Sequence, residues 1–365
     1  MNARVLIAVL LLGALAAGVR SEPAPPADTY LWRLPRGVPH PKVPADNPMS
    51  EAKVRLGRRL FYDTRLSGNG TFACASCHQQ KRAFTDGRAH ALGSTGQPHP
   101  RSAMSLANVA FNASYGWADA RTRTLEAQMA VPMFNEHPIE MGMKGNEAAI
   151  VGRIAADPTD AAMFSQAFPG QPIALDTIVK AIASFERTIV SANSPLDRYL
   201  YRDDRNALTP QAQRGMALFF SERLACAHCH TGFNLSGPTV QGGSADVAPS
   251  FHNTGLYNID GRGSYPAVDR GLFDSTRVRA DMGRFRAPTL RNIAVTAPYM
   301  HDGSIATLDE VIGHYASGGF KSPFKSPRLK GFEISTTEVE DLVAFLTSLT
   351  DEEFLASPAF ARPDR

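Results

Sequence analysis

The chain has 365 residues, 43% of them apolar, with 38 basic and 35 acidic side chains and a net charge of +3. That is length and apolar content enough for one large or two ordinary domains with real cores. The near-balance of charge excludes the electrostatic footprint of a nucleic-acid binder, and no run of Lys or Arg marks a polybasic membrane patch.

Asn2-Ala3-Arg4 forms a short basic lead, residues 5–17 are apolar, and small residues with Ser21 precede the Pro-rich EPAPPAD. This pattern predicts a secretory signal peptide over 1–21 and an extended segment over 22–45. The apolar stretch is too short to span a bilayer comfortably, and no second one is longer. The expectation is an exported, periplasmic protein with no membrane span after signal cleavage.

A helical pattern ending in LGRRLF (56–61) leads into CASCH at 74–78. The frame returns later as RGMALF (214–219) leading into CAHCH at 226–230, and the two motifs hold all four cysteines of the chain. Both frames read Gly-x-x-Leu-Phe followed by CxxCH, which suggests two modules related by duplication. Export permits disulfides, so two CxxC bridges are one reading, and zinc is another. Neither requires His at the fifth position twice. CxxCH is the attachment pattern of c-type haem, with Cys74, Cys77, Cys226 and Cys229 as thioether sulfurs and His78 and His230 as proximal iron ligands.

Between the motifs, WADARTRTLEAQMAVPMFNEHPIEMG (117–142) contains Trp117, one of two tryptophans, and Glu140 after a Pro-containing turn. A carboxylate beside an open haem would act as general acid/base on peroxide, and a tryptophan between two haems would pass electrons or holes. A core Trp and a surface Glu fit the pattern as well. DTIVKAIASFERTI (176–189) reads as a helix capped by Asp176, with Ile178, Val179, Ile182, Phe185 and Ile189 inward. The stretch 191–207 reads as a joint, dividing the chain into haem domains over 46–205 and 206–365.

The second module opens with Thr209 as cap and Pro210 at the first helical position. SGPTVQGGSADVAPS (236–250) is a loop. In TLDEVIGHYASGG (307–319), Thr307 and Glu310 form a capping box, Gly318-Gly319 ends the helix, and Leu308, Val311, Ile312 and Tyr315 share a face. If that face meets haem, the Tyr315 phenol could reach iron; a core tyrosine bonded to a backbone group is the other reading. His314 sits off the face, where solvent is expected, and Met300 and His301 compete as ligands. STTEVEDLVAFLTSL (335–349) is a closing helix with a Ser335–Glu338 box and a stripe of Val339, Leu342, Val343, Leu346 and Leu349. The expected fold is mostly α, with two cytochrome c-like haem domains and long irregular loops.

The chain resembles the bacterial di-haem cytochrome c peroxidase/MauG superfamily, and within it the MbnH-like di-haem enzymes associated with methanobactin systems. The resemblance rests on NPMSEAKVRLGRRLFYDTRLSGNGTFACASCH (47–78), FTDGRAHALGSTGQPHPRSAMSLANVAF (84–111), VPMFNEHPIEMGM (131–143), AIASFERTIVSANSPLDRY (181–199) and FRAPTLRNIAVTAPYMHDGSIATLDEV (285–311). It implies two covalently bound haem c groups, with His78 under the peroxide-binding haem and His230 under the low-spin one. It further implies Glu140 as the distal catalytic carboxylate, Trp117 between the haems and Tyr315 as the second ligand of the low-spin iron. The family also binds one calcium ion; Thr296 and Pro298 match its carbonyl donors, while Ser102 stands where the family has Asn and is the poorer ligand.

Classical di-haem peroxidases carry Met where Tyr315 falls. A thioether stabilises Fe(II) and raises the potential, whereas a phenolate favours higher oxidation states. The resemblance therefore implies an enzyme that uses hydrogen peroxide to oxidise a tryptophan of a partner protein (MbnP-like, to kynurenine) through a high-valent di-haem state. A peroxidase drawing electrons from a small cytochrome or cupredoxin is the alternative, and an electron carrier with both irons fully coordinated is a third.

Overall fold

The computed structural model describes residues 30–245 and 247–364, so the expected signal peptide lies outside the described residues. Helix α1 (Glu51–Phe61) starts where the Ser50 hydroxyl accepts the Lys53 N–H. The single turn α2 (Cys74–Cys77) follows, then α3 (Leu125–Phe134), α4 (Glu147–Ala155), α5 (Pro158–Ala167) and α6 (Leu175–Arg187). The second half contains α7 (Pro195–Tyr201), α8 (Pro210–Phe219), α9 (Phe273–Thr276), α10 (Leu308–Ser317), α11 (Thr336–Thr347) and α12 (Glu352–Ala356). Among the described residues, β structure is confined to isolated bridges, so the fold is mostly helical with long loops.

Most helix starts follow the sequence. The Thr209, Thr307 and Ser335 hydroxyls each accept an N–H three residues on, and Glu310 and Glu338 complete their boxes. Asp176 is a correction. The N-cap is Ala174, whose N–H is taken by Thr177 Oγ1, and Asp176 sits in the first turn with its carboxylate 3.0 Å from Lys180. Two residues past the cap it still favours the positive end of the dipole, so the same residue type serves from either position.

Two helix pairs organise the molecule. Helix α1 crosses α6, and α8 crosses α11, each at a glycine. A Cβ on Gly57 would stand 1.9 Å from the Ala181 carbonyl oxygen, and one on Gly215 would stand 1.9 Å from that of Asp341. Only hydrogen fits at either crossing, which gives the shared Gly-x-x-Leu-Phe frame its physical reason. The Phe of each frame packs edge-on or tilted against the partner helix, Phe61 on Phe185 at 5.3 Å and Phe219 on Phe345 at 5.2 Å between ring centroids.

Two hydrophobic cores result. The first joins Leu56, Leu60 and Phe61 to Ile178, Ile182, Phe185 and Ile189; the second joins Ala212 and Phe219 to Leu342, Phe345, Leu346 and Leu349. Each fully buried side chain of this size contributes roughly 1.5–3 kcal/mol. Val179, Val339 and Val343 are only half buried at the core margins.

A third repeat lies in the loops. LANVA (106–110) and LRNIA (290–294) both place Asn in the left-handed conformation, Asn108 at φ 58° and Asn292 at φ 60°, each opening a short 3-10 turn. Both asparagines end on Ser191. Asn108 Nδ2 donates to the Ser191 carbonyl at 3.0 Å and its Oδ1 accepts the Ser191 N–H at 2.8 Å; Asn292 Nδ2 donates to Ser191 Oγ at 3.0 Å.

The expected boundary at residue 206 leaves the last residues in the second domain, but they pack on the first core. Phe354 lies 5.8 Å from Phe84, Gln80 Nε2 donates to the Phe354 and Ser357 carbonyls, and Tyr62 Oη donates to Phe360 O at 2.7 Å. The apolar rings of Phe354 and Phe360 close the first core beside Phe84, and burial outweighs sequence proximity.

Candidate active site

Each CxxCH motif is wound into a single turn, and in each the histidine is oriented in the same way. The His78 N–H bonds Cys74 O at 3.0 Å, and the His230 N–H bonds Cys226 O at 3.1 Å. His78 Nδ1 then donates to Phe84 O at 2.8 Å, and His230 Nδ1 to Leu235 O at 2.9 Å. The accepting residues are both left-handed, Phe84 at φ 63° and Leu235 at φ 47°, which is uncommon for bulky side chains. With Nδ1 engaged, Nε2 keeps its lone pair for a metal. Burial lowers both imidazoles below the usual histidine range, which keeps that lone pair free of a proton.

All four cysteines are free thiols. Burial pushes every one of them up, Cys77 to about 12 and Cys226 to about 11, so none is an activated thiolate of the redox CxxC kind. A zinc centre does not fit either: the motifs belong to separate cores, and among the described residues no group of three or more His, Cys, Asp or Glu side chains is gathered to hold a metal. Two protonated thiols beside an imidazole of fixed tautomer, twice over, fit covalent haem c.

Glu140 is held by a small hairpin. Residues 91–101 fold back through His99 N–H to Ala91 O at 2.7 Å and Gly93 N–H to Gln97 O at 2.9 Å. The hairpin grips the backbone around Glu140: Ser94 N–H donates to Glu140 O at 2.7 Å, and Ile139 N–H donates to Gln97 Oε1 at 3.1 Å. A Cβ on Gly93 would stand 1.7 Å from Ile139 O, so glycine is required for this approach. Burial raises the Glu140 carboxyl to about 7, a value poised for proton transfer near neutral pH. The same carboxylate contributes to raising the Cys77 thiol, which puts it within electrostatic reach of the first motif.

Trp117 links the two halves. Its indole Nε1–H donates to Ser102 O at 3.0 Å, and its carbonyl accepts the Arg286 N–H at 2.8 Å. Arg286 is buried, bonds Gly116 O through Nε, and is lowered to about 10 by burial. Ser102 itself receives its backbone order from His301 O, to which its N–H donates at 2.8 Å; its hydroxyl approaches Met300 O at 3.4 Å and His301 O at 3.3 Å. Thr296 and Pro298 lie a few residues upstream, on either side of a cis Ala297-Pro298 bond.

Tyr315 lies on α10 with Leu308 and Ile312, which are buried in the second core. Burial raises its phenol, with Cys229 and Cys226 adding to the shift, so the ring is close to the second motif. Its hydroxyl makes no hydrogen bond within the described chain, unlike the other tyrosines around it: Tyr257 Oη donates to Asp302, Tyr265 Oη to Asn253 and Tyr299 Oη to Ile293 O. His314 is not the solvated residue the helix pattern predicted; its Nε2 bonds Thr254 O at 3.0 Å and the ring is half-buried. His301 stacks on Phe285 at 3.7 Å and its Nε2 faces Asp269 at 3.8 Å and Asp302 at 4.0 Å, so its ring is committed to carboxylates.

Two residues near these sites carried no sequence signal. His252 is close enough to His230 for their charges to interact, and it is lowered to about 4 by burial and by Arg328. His99 lies with its Nε2 3.7 Å from Glu140 Oε1. Neither sits in a repeat or a periodic face; the loops bring them in.

A family profile described as di-haem cytochrome c peroxidase matches residues 51–205. The methylamine utilization protein MauG of Methylorubrum extorquens is 37% identical over 88% of this chain and 84% of its own length. The cytochrome c551 peroxidase of Pseudomonas aeruginosa is 30% identical over 84% of this chain and 81% of its own length. A solved structure of a MauG-like protein associated with microbial copper homeostasis superposes with a TM-score of 0.89 at 48% identity, covering 92% of this chain and 99% of that one.

Proposed function

The chain belongs to the di-haem cytochrome c peroxidase family, a family of peroxidase-type oxidoreductases with two haem c groups, and we propose that it is a periplasmic enzyme that uses hydrogen peroxide to oxidise a tryptophan side chain of a partner protein. The partner class is an MbnP-like protein. The observation that carries the reading is the Tyr315 phenol, half-buried close to Cys226 and Cys229 and without a hydrogen bond within the described chain. With no protein partner, the phenol oxygen is left open to serve as a ligand, and an anionic phenolate would favour the higher oxidation states of iron. The likeness to a MauG-like protein of copper homeostasis supports the same reading. Among the described residues, no helix is long and apolar enough to cross a membrane.

In this reading Cys74, Cys77 and His78 hold one haem and Cys226, Cys229, His230 and Tyr315 hold the other. When bound, the haem pair supplies redox chemistry: two electrons are taken from the partner for each peroxide reduced to water. Glu140 serves the proton traffic. As carboxylate it would take a proton from bound peroxide, and as carboxylic acid it would return that proton to the departing oxygen. Trp117 is fixed at both its indole N–H and its carbonyl, which holds its ring at the meeting of the two halves. Calcium, held by the Thr296 and Pro298 carbonyls with Ser102, is part of the same proposal.

Mass spectrometry of a co-expressed partner tests it. Oxygen added to a partner tryptophan is the expected result; an unmodified partner despite peroxide consumption overturns it. The second reading, reduction of peroxide with electrons from a small cytochrome or cupredoxin, is favoured by the similarity to cytochrome c551 peroxidase. Steady turnover with reduced cytochrome c and a high-potential second haem would select it.

A further inference from the structure

We propose that His99 is a positioning residue for Glu140, a neutral imidazole whose Nε2–H orients the carboxylate and holds it in its ionised form. The proposal rests on the reading of Glu140 as the proton-transfer carboxylate. It starts from the tautomer. The Arg101 backbone N–H donates to His99 Nδ1 at 3.1 Å, so Nδ1 is an acceptor and the neutral ring carries its proton on Nε2. That nitrogen faces Glu140 Oε1 at 3.7 Å. The separation is longer than a hydrogen bond, and catalytic contacts of this kind commonly tighten once the site is filled.

The hairpin makes the approach reliable. One arm of residues 91–101 grips the Glu140 carbonyl through Ser94 N–H, and the returning arm presents His99 to the carboxylate of the same residue. The base of that arm is anchored by Arg101, which binds Asp269 at 2.6 and 2.8 Å. Asp269 is buried and belongs to the second half. His99 is therefore held by a contact that crosses between the modules.

The surroundings decide which role the imidazole can take. The charged and titratable groups that act on His99 are Arg101, Asp269 and His90, whose Nδ1 bonds His99 O at 3.1 Å; Asp86 and Arg88 act with Glu140 on Cys77, and burial alone shifts Glu140 itself. Burial and Arg101 lower His99 to about 4, so it stays uncharged while Glu140 titrates. With Nδ1 capped by a backbone N–H that cannot yield its proton, the ring has no second proton path. It is a one-sided donor, and not a relay to solvent.

Infrared titration of the holoenzyme tests this. The Glu140 carboxyl band is identified by its loss in E140Q. In H99F the midpoint of that band is expected to rise by about one pH unit, since the carboxylate loses its donor. H99N cannot reach Glu140 and is expected to behave as H99F does. H99Q places an amide N–H where Nε2 stood and is expected to return the midpoint to the wild-type value. An unchanged midpoint in both H99F and H99N overturns the proposal, as does an H99Q shift equal to theirs, which would mark a packing effect. The parent reading fails separately: if E140Q reacts with peroxide at the wild-type rate, Glu140 is not the proton-transfer group, whatever the histidine variants show.

Discussion

Asn108 and Asn292 adopt the same left-handed backbone, 184 residues apart in sequence, and both side chains close on Ser191. Asp351 completes the knot, accepting from Ser191 Oγ at 3.1 Å while its N–H donates to Asn292 Oδ1 at 2.8 Å. The duplicated modules are thus joined by backbone-directed hydrogen bonds buried from water. Replacing Asn292 by Ala removes both side-chain bonds, leaves the buried Asp351 N–H unpaired and strains an Ala at positive φ. The expected cost is about 3 kcal/mol. Asn292→Gly relieves the strain alone and should recover about 1 kcal/mol of it; urea unfolding of the two holoproteins measures both.

The crossings at Gly57 and Gly215 predict matched effects. Gly57→Ala or Gly215→Ala drives a methyl into a backbone carbonyl, so the helices must separate. Each substitution should destabilise by about 3 kcal/mol, far outside the gain Gly→Ala gives on an open helix face. Thermal unfolding followed by circular dichroism checks this, with Gly152→Ala on α4 as a control, since its Cβ would meet nothing.

Glu140 sets an expected pH profile. Only its carboxylate can accept the peroxide proton, and burial raises the group to about 7. The rate of reaction with peroxide should rise roughly tenfold per unit below that pH and level off above it. The sign for stability is opposite. The folded chain holds this proton more tightly than the unfolded one, so the contribution of Glu140 falls as pH rises from the ordinary carboxylate range toward 7. Glu140→Gln should retain both haems and lose the peroxide reaction by about 10²–10⁴-fold in a stopped-flow measurement.

Tyr315 separates the two functional readings. Tyr315→Phe should leave the spectrum of the first haem unchanged and alter that of the second; an unchanged second spectrum sinks the ligand assignment. Tyr315→Met should raise the potential of the second haem, because a thioether stabilises the reduced iron, and shift the enzyme toward turnover with reduced cytochrome c. A spectroelectrochemical titration reads both variants.

Much of the site was written in the sequence because its chemistry is local. Five-residue motifs pointed to the thiols and imidazoles, 3.6-residue periodicity put Tyr315 on one face with Leu308 and Ile312, and the repeated Gly-x-x-Leu-Phe frame pointed to two related modules. These signals hold over spans of a single turn or helix, where covalent geometry and helical repeat dictate which atoms meet. Asp176 shows the limit of that grammar, since a carboxylate suits the cap and the first turn alike.

What the chain could not announce was decided by loops. Nothing in the spacing of His99 and Glu140 brings an imidazole to a carboxylate, and nothing local sends Phe354 and Phe360 back to the first core. Those pairings depend on where long irregular segments land, which is set by burial of distant apolar groups and by backbone bonds between residues far apart in sequence. The sequence determined which residues are offered as ligands and proton carriers; tertiary packing decided which neighbours tune them, because desolvation and hydrogen bonding exist only once the modules have closed on each other.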